Sequence, residues 1–421
     1  LEPSRIRKSR LSGGITLLTE HMPHRSSAAL GVWLRNGARD EPAELAGVSH
    51  FLEHMMFKGT EQRDARAIAQ SLESVGGHLD AFTSREQVCF YARVLSENMP
   101  EAVDVLADIV CRSRIGEEDI RREQQVVREE ILSYEDNPEE KVHDLLAETL
   151  WPGHGLGRPI LGTVEHVLSF SRPALVDYYR GRYGPAEMVI SAAGDVDHDR
   201  LGELVVRHFT PPAGSPLPSS APPRAAAPGV NHAERDVQQL YLTLGTPGLD
   251  HRNPDRFPLL VLNAILGGGM SSRLFQGVRE EAGLAYSVYS SAEFYRDAGV
   301  WFVALGVSPE RGREALARVR DEIERLEREG PTDEEIRSGK QQIKGTILLA
   351  QESVSNRMNQ LALEEIFDLP FRGPEAYVER VMAASREDLM RIGSEFLRPE
   401  RFTLVALGPV TGEPLASSDW A

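Results

Sequence analysis

Apolar residues alternate with less apolar neighbours at Val88, Phe90, Ala92 and Val94, with no Gly or Pro between them. That period of two predicts a half-buried strand. Leu240-Tyr241-Leu242-Thr243-Leu244 and Val300-Trp301-Phe302-Val303-Ala304-Leu305 predict further strands in the second half. A helix is predicted over Asp119 to Tyr134, opened by the acidic run Glu117-Glu118-Asp119, which the positive end of the helix dipole favours. Strands with one apolar face mixed with amphipathic helices predict an α+β fold, a mostly antiparallel sheet with helices packed on one face.

The pattern then recurs. Ile120-Arg121 matches Ile336-Arg337 at an offset of 336 − 120 = 216 residues, and the same offset aligns Gln125 with Gln341, Val127-Arg128 with Ile343-Lys344 and Ile131-Leu132 with Ile347-Leu348. An internal repeat held in register without a gap predicts two homologous domains. Between them Pro211, Pro212, Pro216, Pro218, Pro222, Pro223 and Pro228 sit among Ala, Ser and Gly, the composition of an extended linker. The expected division is residues 1–210, a linker over 211–230, and residues 231–421.

Length and charge narrow the function classes. A chain of 421 residues exceeds one ordinary core, and no apolar run approaches the roughly 18 residues of a membrane-spanning helix, so no membrane span is expected. A net charge of −17 argues against nucleic acid, whose phosphates need clustered Lys and Arg, and favours cationic partners. Two cysteines, Cys89 and Cys111, cannot form a disulfide framework. Leu1-Glu2-Pro3-Ser4-Arg5 has no apolar stretch behind its charges and does not read as a secretory leader, so a cytoplasmic location is expected. The missing initiator Met leaves a trimmed targeting segment open.

The chemistry concentrates in Gly47-Val48-Ser49-His50-Phe51-Leu52-Glu53-His54-Met55-Met56-Phe57. On a helix, positions 50, 53 and 54 fall within an arc of about 100°, so two imidazoles and a carboxylate project from one face. Histidines four apart can share a zinc ion, and Glu53 beside them can take the proton of a water held there; His-x-x-Glu-His is the inverted order of the better-known zinc protease motif. The bland alternative is a pair of satisfied core histidines. A hydrolytic zinc site takes a third protein ligand and keeps one position for water. Glu123 and Glu130 are candidates, because seven residues rotate a helix by only about −20° and leave both on one face. The repeat strengthens this, since the matching positions in the second half are Gly339 and Thr346.

With these residues the sequence resembles the pitrilysin and mitochondrial processing peptidase family of zinc peptidases, in its short-chain bacterial form. The resemblance covers nearly the whole chain. It implies a zinc endopeptidase with one Zn2+ per chain held by His50, His54 and Glu130, Glu53 as general base, and Glu123 as a further carboxylate supporting the metal site. The spacing of 130 − 54 = 76 residues fits the family pattern. The glycine stretch Gly267-Gly268-Gly269-Met270-Ser271-Ser272-Arg273-Leu274 lacks the Gly-Lys-Ser/Thr of a nucleotide loop and resembles the family's stretch before Arg279-Glu280-Glu281-Ala282-Gly283-Leu284-Ala285-Tyr286. By resemblance, Arg279 and Tyr286 steady developing oxyanion charge; read from residues alone they are a surface Arg and a core Tyr.

Gly76-Gly77-His78-Leu79-Asp80-Ala81-Phe82-Thr83-Ser84 resembles the family's edge strand, to which a peptide adds by main-chain hydrogen bonds. Many members have Asn where this chain has Asp80, which puts a side-chain contact there in doubt, and His78 reads as a bystander. Glu140 and Asp144 match the acidic pair that recognises an arginine near the cleavage site in the mitochondrial enzyme; an exposed acidic turn is the equal alternative. The implied partners are unfolded peptides, including arginine-containing ones, and a second copy of the chain in a chambered homodimer. The competing expectation is a non-catalytic structural or peptide-binding subunit, which the family also contains.

Overall fold

The computed structural model describes residues 5–215, 221–370 and 373–420, so Pro216 and Pro218 of the expected linker lie outside the described residues. The first sheet is formed by β1 (Arg5–Arg10), β2 (Thr16–His21), β3 (Ser27–Leu34), β4 (His78–Thr83), β5 (Val88–Leu95) and β6 (Met188–Gly194), in the order β1-β2-β6-β3-β5-β4. Only the β2–β6 pair is parallel. The second sheet has β7 (Val230–Ala233), β8 (Leu240–Pro247), β9 (Ala285–Phe294), β10 (Gly299–Val307) and β11 (Thr403–Leu407), in the order β7-β11-β8-β10-β9. Its β7–β11 pair is parallel and the others antiparallel. The fold is thus mixed α and β with two sheets and many helices, and all three predicted strands form.

The central strands of each sheet are buried on both faces, which the sequence pattern did not predict. Along β3, Leu30, Val32 and Leu34 face a core shared with the helices Val48–Met56 and Met99–Arg112. Their neighbours Ala29 and Trp33 face the opposite way, onto Val354, Met358, Leu361 and Ala362. Those four residues lie on the helix Val354–Ile366, from the second half of the sequence. In the second sheet, Val300, Phe302 and Ala304 pack on Val142, Leu146 and Leu150 of the helix Pro138–Leu150, from the first half. One face of helices becomes two layers because the second apolar face of each sheet also has to be covered.

These two crossing helices are themselves repeat equivalents, since 354 − 138 = 216 and both have 13 residues. The acidic helices Glu117–Glu135 and Asp333–Ala350 start at the same offset, 333 − 117 = 216. The chain therefore divides into units that are not contiguous halves. One is Leu1–Leu132, Arg158–Ala221 and Ala350–Phe371; the other is Ser133–Gly157, Pro222–Leu349 and Arg372–Ala421. The expected cut at 211–230 falls between the sheets but misassigns the two crossing helices, whose amphipathic pattern says that they have an apolar face and not what it meets.

Candidate metal centre

The motif helix Val48–Met56 is fixed from three sides. Phe51, Leu52, Met55 and Met56 are buried against the first sheet and its helices. Its N-terminus begins at Gly47, with φ +90°. A Cβ there would lie 2.5 Å from the Leu161 carbonyl oxygen, so glycine serves both the left-handed backbone and the close approach of another loop. Having no side chain, Gly47 cannot cap the helix. The carboxylate of Glu41 does so instead, accepting from the Gly47 and Ser49 backbone N–H groups at 2.7 Å each. Burial pushes the Glu41 carboxyl up to about 7, against the lowering effect of those hydrogen bonds.

From this helix His50 and His54 project beside Glu130 of the acidic helix. One ligand atom from each of the three lies within 4.8 Å of the others. Nε2 of His50 is 3.5 Å from one Glu130 oxygen, and Nε2 of His54 is 3.5 Å from the other. Two imidazole nitrogens and a carboxylate converging on one point are the donor set of a hydrolytic zinc site, and the residues fit that ion. The hydrogen bond with His50, above all, holds the Glu130 carboxyl below its ordinary value, as a ligating carboxylate requires.

Glu123, seven residues earlier, has a different environment. It is 2% exposed and takes a hydrogen bond from Nδ1 of His54 at 2.8 Å and an ion pair from Lys58 Nζ at 2.7 Å. Burial works to raise its carboxyl, but His54 and Lys58 outweigh that and hold it low. The effect on His54 is fixation: with Nδ1–H donated to Glu123, Nε2 presents its lone pair to the centre. Glu123 therefore meets the ring nitrogen of His54 other than the one nearest Glu130, and is not one of the three clustered residues. We expect Glu123→Gln to weaken zinc binding about 10–100-fold, the usual range for an outer-shell partner of a ligating His, as measured by competition with a chromogenic chelator.

Glu53 completes the group. It is half-buried on the same helix, and burial pushes its carboxyl above the ordinary value, partly offset by a hydrogen bond from Thr83 and by the nearby imidazoles. Thr83 Oγ1 donates to Glu53 Oε2 at 2.5 Å. Thr83 is the last residue of β4, the edge strand of the first sheet, which carries Asp80, Ala81 and Phe82. His78 is on that strand too, exposed and 3.7 Å from Asp80, and is not one of the three clustered residues.

The remaining expected site residues lie in the second unit. Arg279 sits on a π-helical turn, Phe275–Glu281, with its guanidinium 4.8 Å from the Tyr286 ring centre and 4.6 Å from that of Phe275. Tyr286, expected from residues alone to be a core tyrosine, is 80% exposed at the start of β9. Glu140 is exposed and Asp144 half-buried, on one flank of the helix Pro138–Leu150. Sequence reasoning missed Glu41, Lys58 and Thr83. A carboxylate shortly before an uncapped glycine was a usable signal for Glu41; nothing local identifies the other two.

Fold and site together define a metallopeptidase-like protein built on an internal repeat, with a His-x-x-Glu-His centre. Comparison with known proteins agrees. Residues 16–164 match the family described as insulinase (peptidase family M16), and residues 169–343 match the peptidase M16 inactive domain. The chain is 38% identical to an uncharacterized zinc protease of Streptomyces coelicolor, over 96% of this chain and 90% of that one. It is 36% identical to an uncharacterized zinc protease of Bacillus subtilis, over 97% of this chain and 100% of that one. A crystal structure of a peptidase M16 inactive domain from Pseudomonas fluorescens superimposes with a TM-score of 0.91 at 21% identity, over 98% of this chain and 99% of that one, a likeness of fold. The chain belongs to the M16 peptidase family, and zinc is the metal its relatives' names carry. No helix among the described residues is long and apolar enough to cross a membrane.

Proposed function

We propose that the protein is a zinc-dependent endopeptidase acting on unfolded peptides. The observation that carries this reading is the convergence of His50, His54 and Glu130 within 4.8 Å, with Glu53 on the same helix as the two histidines. A zinc ion there supplies Lewis acidity toward water and the scissile carbonyl. Glu53 accepts the proton of the attacking water and delivers it to the leaving amine, a role suited to a carboxyl raised by burial. Glu123 keeps His54 in its tautomer, as its 2.8 Å hydrogen bond supports.

The substrate main chain pairs with β4 along Asp80, Ala81 and Phe82, an edge of the sheet among the described residues, so unfolded segments are the substrate class. Arg279 and Tyr286 donate to the developing oxyanion. Glu140 and Asp144 receive a guanidinium of arginine-containing peptides, and the working form is a chambered homodimer. The division of labour in the sequence supports one metal per chain, since the repeat positions of Glu123 and Glu130 are Gly339 and Thr346. The match of residues 169–343 to an inactive domain accords with a second half that bears no metal. The test is cleavage of a quenched, unstructured peptide by the zinc-loaded protein. A protein that binds zinc and peptide without turnover is instead a binding subunit.

A further inference from the structure

We infer that Thr83 is the positioning residue of Glu53, tying the general base to the strand that receives the substrate. The inference rests on the peptidase reading above. A free glutamate side chain populates many rotamers, and ordering one costs conformational free energy. A base that must meet one water in one geometry needs that order in place beforehand. Among the described residues, the Thr83 hydroxyl is the hydrogen-bond partner found for the Glu53 carboxylate. A threonine hydroxyl has a single proton to donate. Given to Oε2, it leaves Oε1 free to take the proton of water.

Thr83 is itself firmly held. Its side chain is β-branched and stiff at χ1, and its backbone pairs with Val88 of β5. The turn that follows is closed by Ser84 N–H donating to the Gln87 carbonyl at 2.8 Å. The turn is then anchored to the loop before the motif helix, with Ala38 N–H donating to the Ser84 carbonyl at 3.1 Å and Arg39 paired with Glu86 at 2.5 Å in a buried contact. Arg85 donates to the Arg158 carbonyl, and Arg158 donates to the Glu41 carbonyl, both at 2.8 Å. The Glu41 carboxylate caps the motif helix. A closed path of contacts thus joins the end of β4 to the start of the helix that carries Glu53, and the Thr83–Glu53 hydrogen bond closes it at the reacting end.

The test compares Thr83→Val, which keeps the shape and loses the donor, with Thr83→Ser, which keeps the donor. For Thr83→Val we expect kcat on the quenched peptide to fall about 10–100-fold, the usual range for a lost hydrogen bond to a charged group, with KM and bound zinc unchanged. Thr83→Ser should recover most of the rate. A Val variant with wild-type kcat, or a Ser variant as slow as Val, would overturn the assignment. An activity-independent arm uses the thermal midpoints of wild type, Thr83→Val, Glu53→Ala and the double variant. Shifts that fail to add report the contact, and additive shifts count against it. If the wild type turns over no peptide, the peptidase reading fails by itself and the midpoints decide the contact alone.

Discussion

Glu53→Gln should leave a protein that holds its zinc and cleaves peptide about a thousandfold more slowly, since a positioned general base contributes typically 10²–10⁴-fold. Glutamine preserves shape and can still accept from Thr83 Oγ1, which in the native protein donates to Glu53 Oε2 at 2.5 Å. What it loses is the ability to take a proton. Zinc should stay because Glu53 is not one of the three clustered residues, His50, His54 and Glu130. The readouts are kcat on a quenched peptide and bound metal by atomic emission, taken on the same preparation. Residual turnover close to wild type would move the base to another group.

Glu130→Gln should do the opposite and remove the metal. The native carboxylate lies 3.5 Å from Nε2 of both histidines and is held ionised, first of all by its hydrogen bond with His50. A neutral amide lacks the charge that offsets a dication, and the two remaining imidazoles make an incomplete site. Zinc affinity should fall by more than the roughly 10–100-fold expected of an outer-shell change, and turnover with it. Folding should be little affected, because the Glu130 side chain is 43% exposed, unlike that of Glu123 at 3%. A variant that kept full zinc after dialysis would remove Glu130 from the ligand set.

Those two glutamates show where sequence reading stops. At seven residues apart they share one face of the acidic helix, and their spacing makes them equivalent. Burial separates them: Glu130 faces the open centre, while Glu123 is enclosed by His54 and Lys58. The motif helix was legible because its spacing is an intrinsic property of the α-helix. The strands at Val88, Leu240 and Val300 were legible for the same reason, their apolar patterns being local. The repeat was visible as well, and the helices at Glu117 and Asp333 begin 216 residues apart as the register required.

The partners of elements were not legible. The helix Pro138–Leu150 shows an apolar stripe of Val142, Leu146 and Leu150, yet only the tertiary structure says that it lies on β8, β10 and β11 and not on the sheet that precedes it. Thr83 is likewise invisible from its neighbours, because its significance comes from a contact made across 30 residues of sequence. Tyr286 shows the reverse case. Its neighbours alone suggest a core tyrosine, and it is largely exposed beside Arg279.

The measurement that bears most directly on the central claim is a zinc titration of chelator-stripped wild-type protein, followed by turnover of the quenched peptide and by bound metal at each point. One site per chain, formed by His50, His54 and Glu130, predicts that activity rises in proportion to zinc and levels off at one equivalent per chain. Peptide cleavage in the stripped protein that does not change as zinc is bound would contradict it.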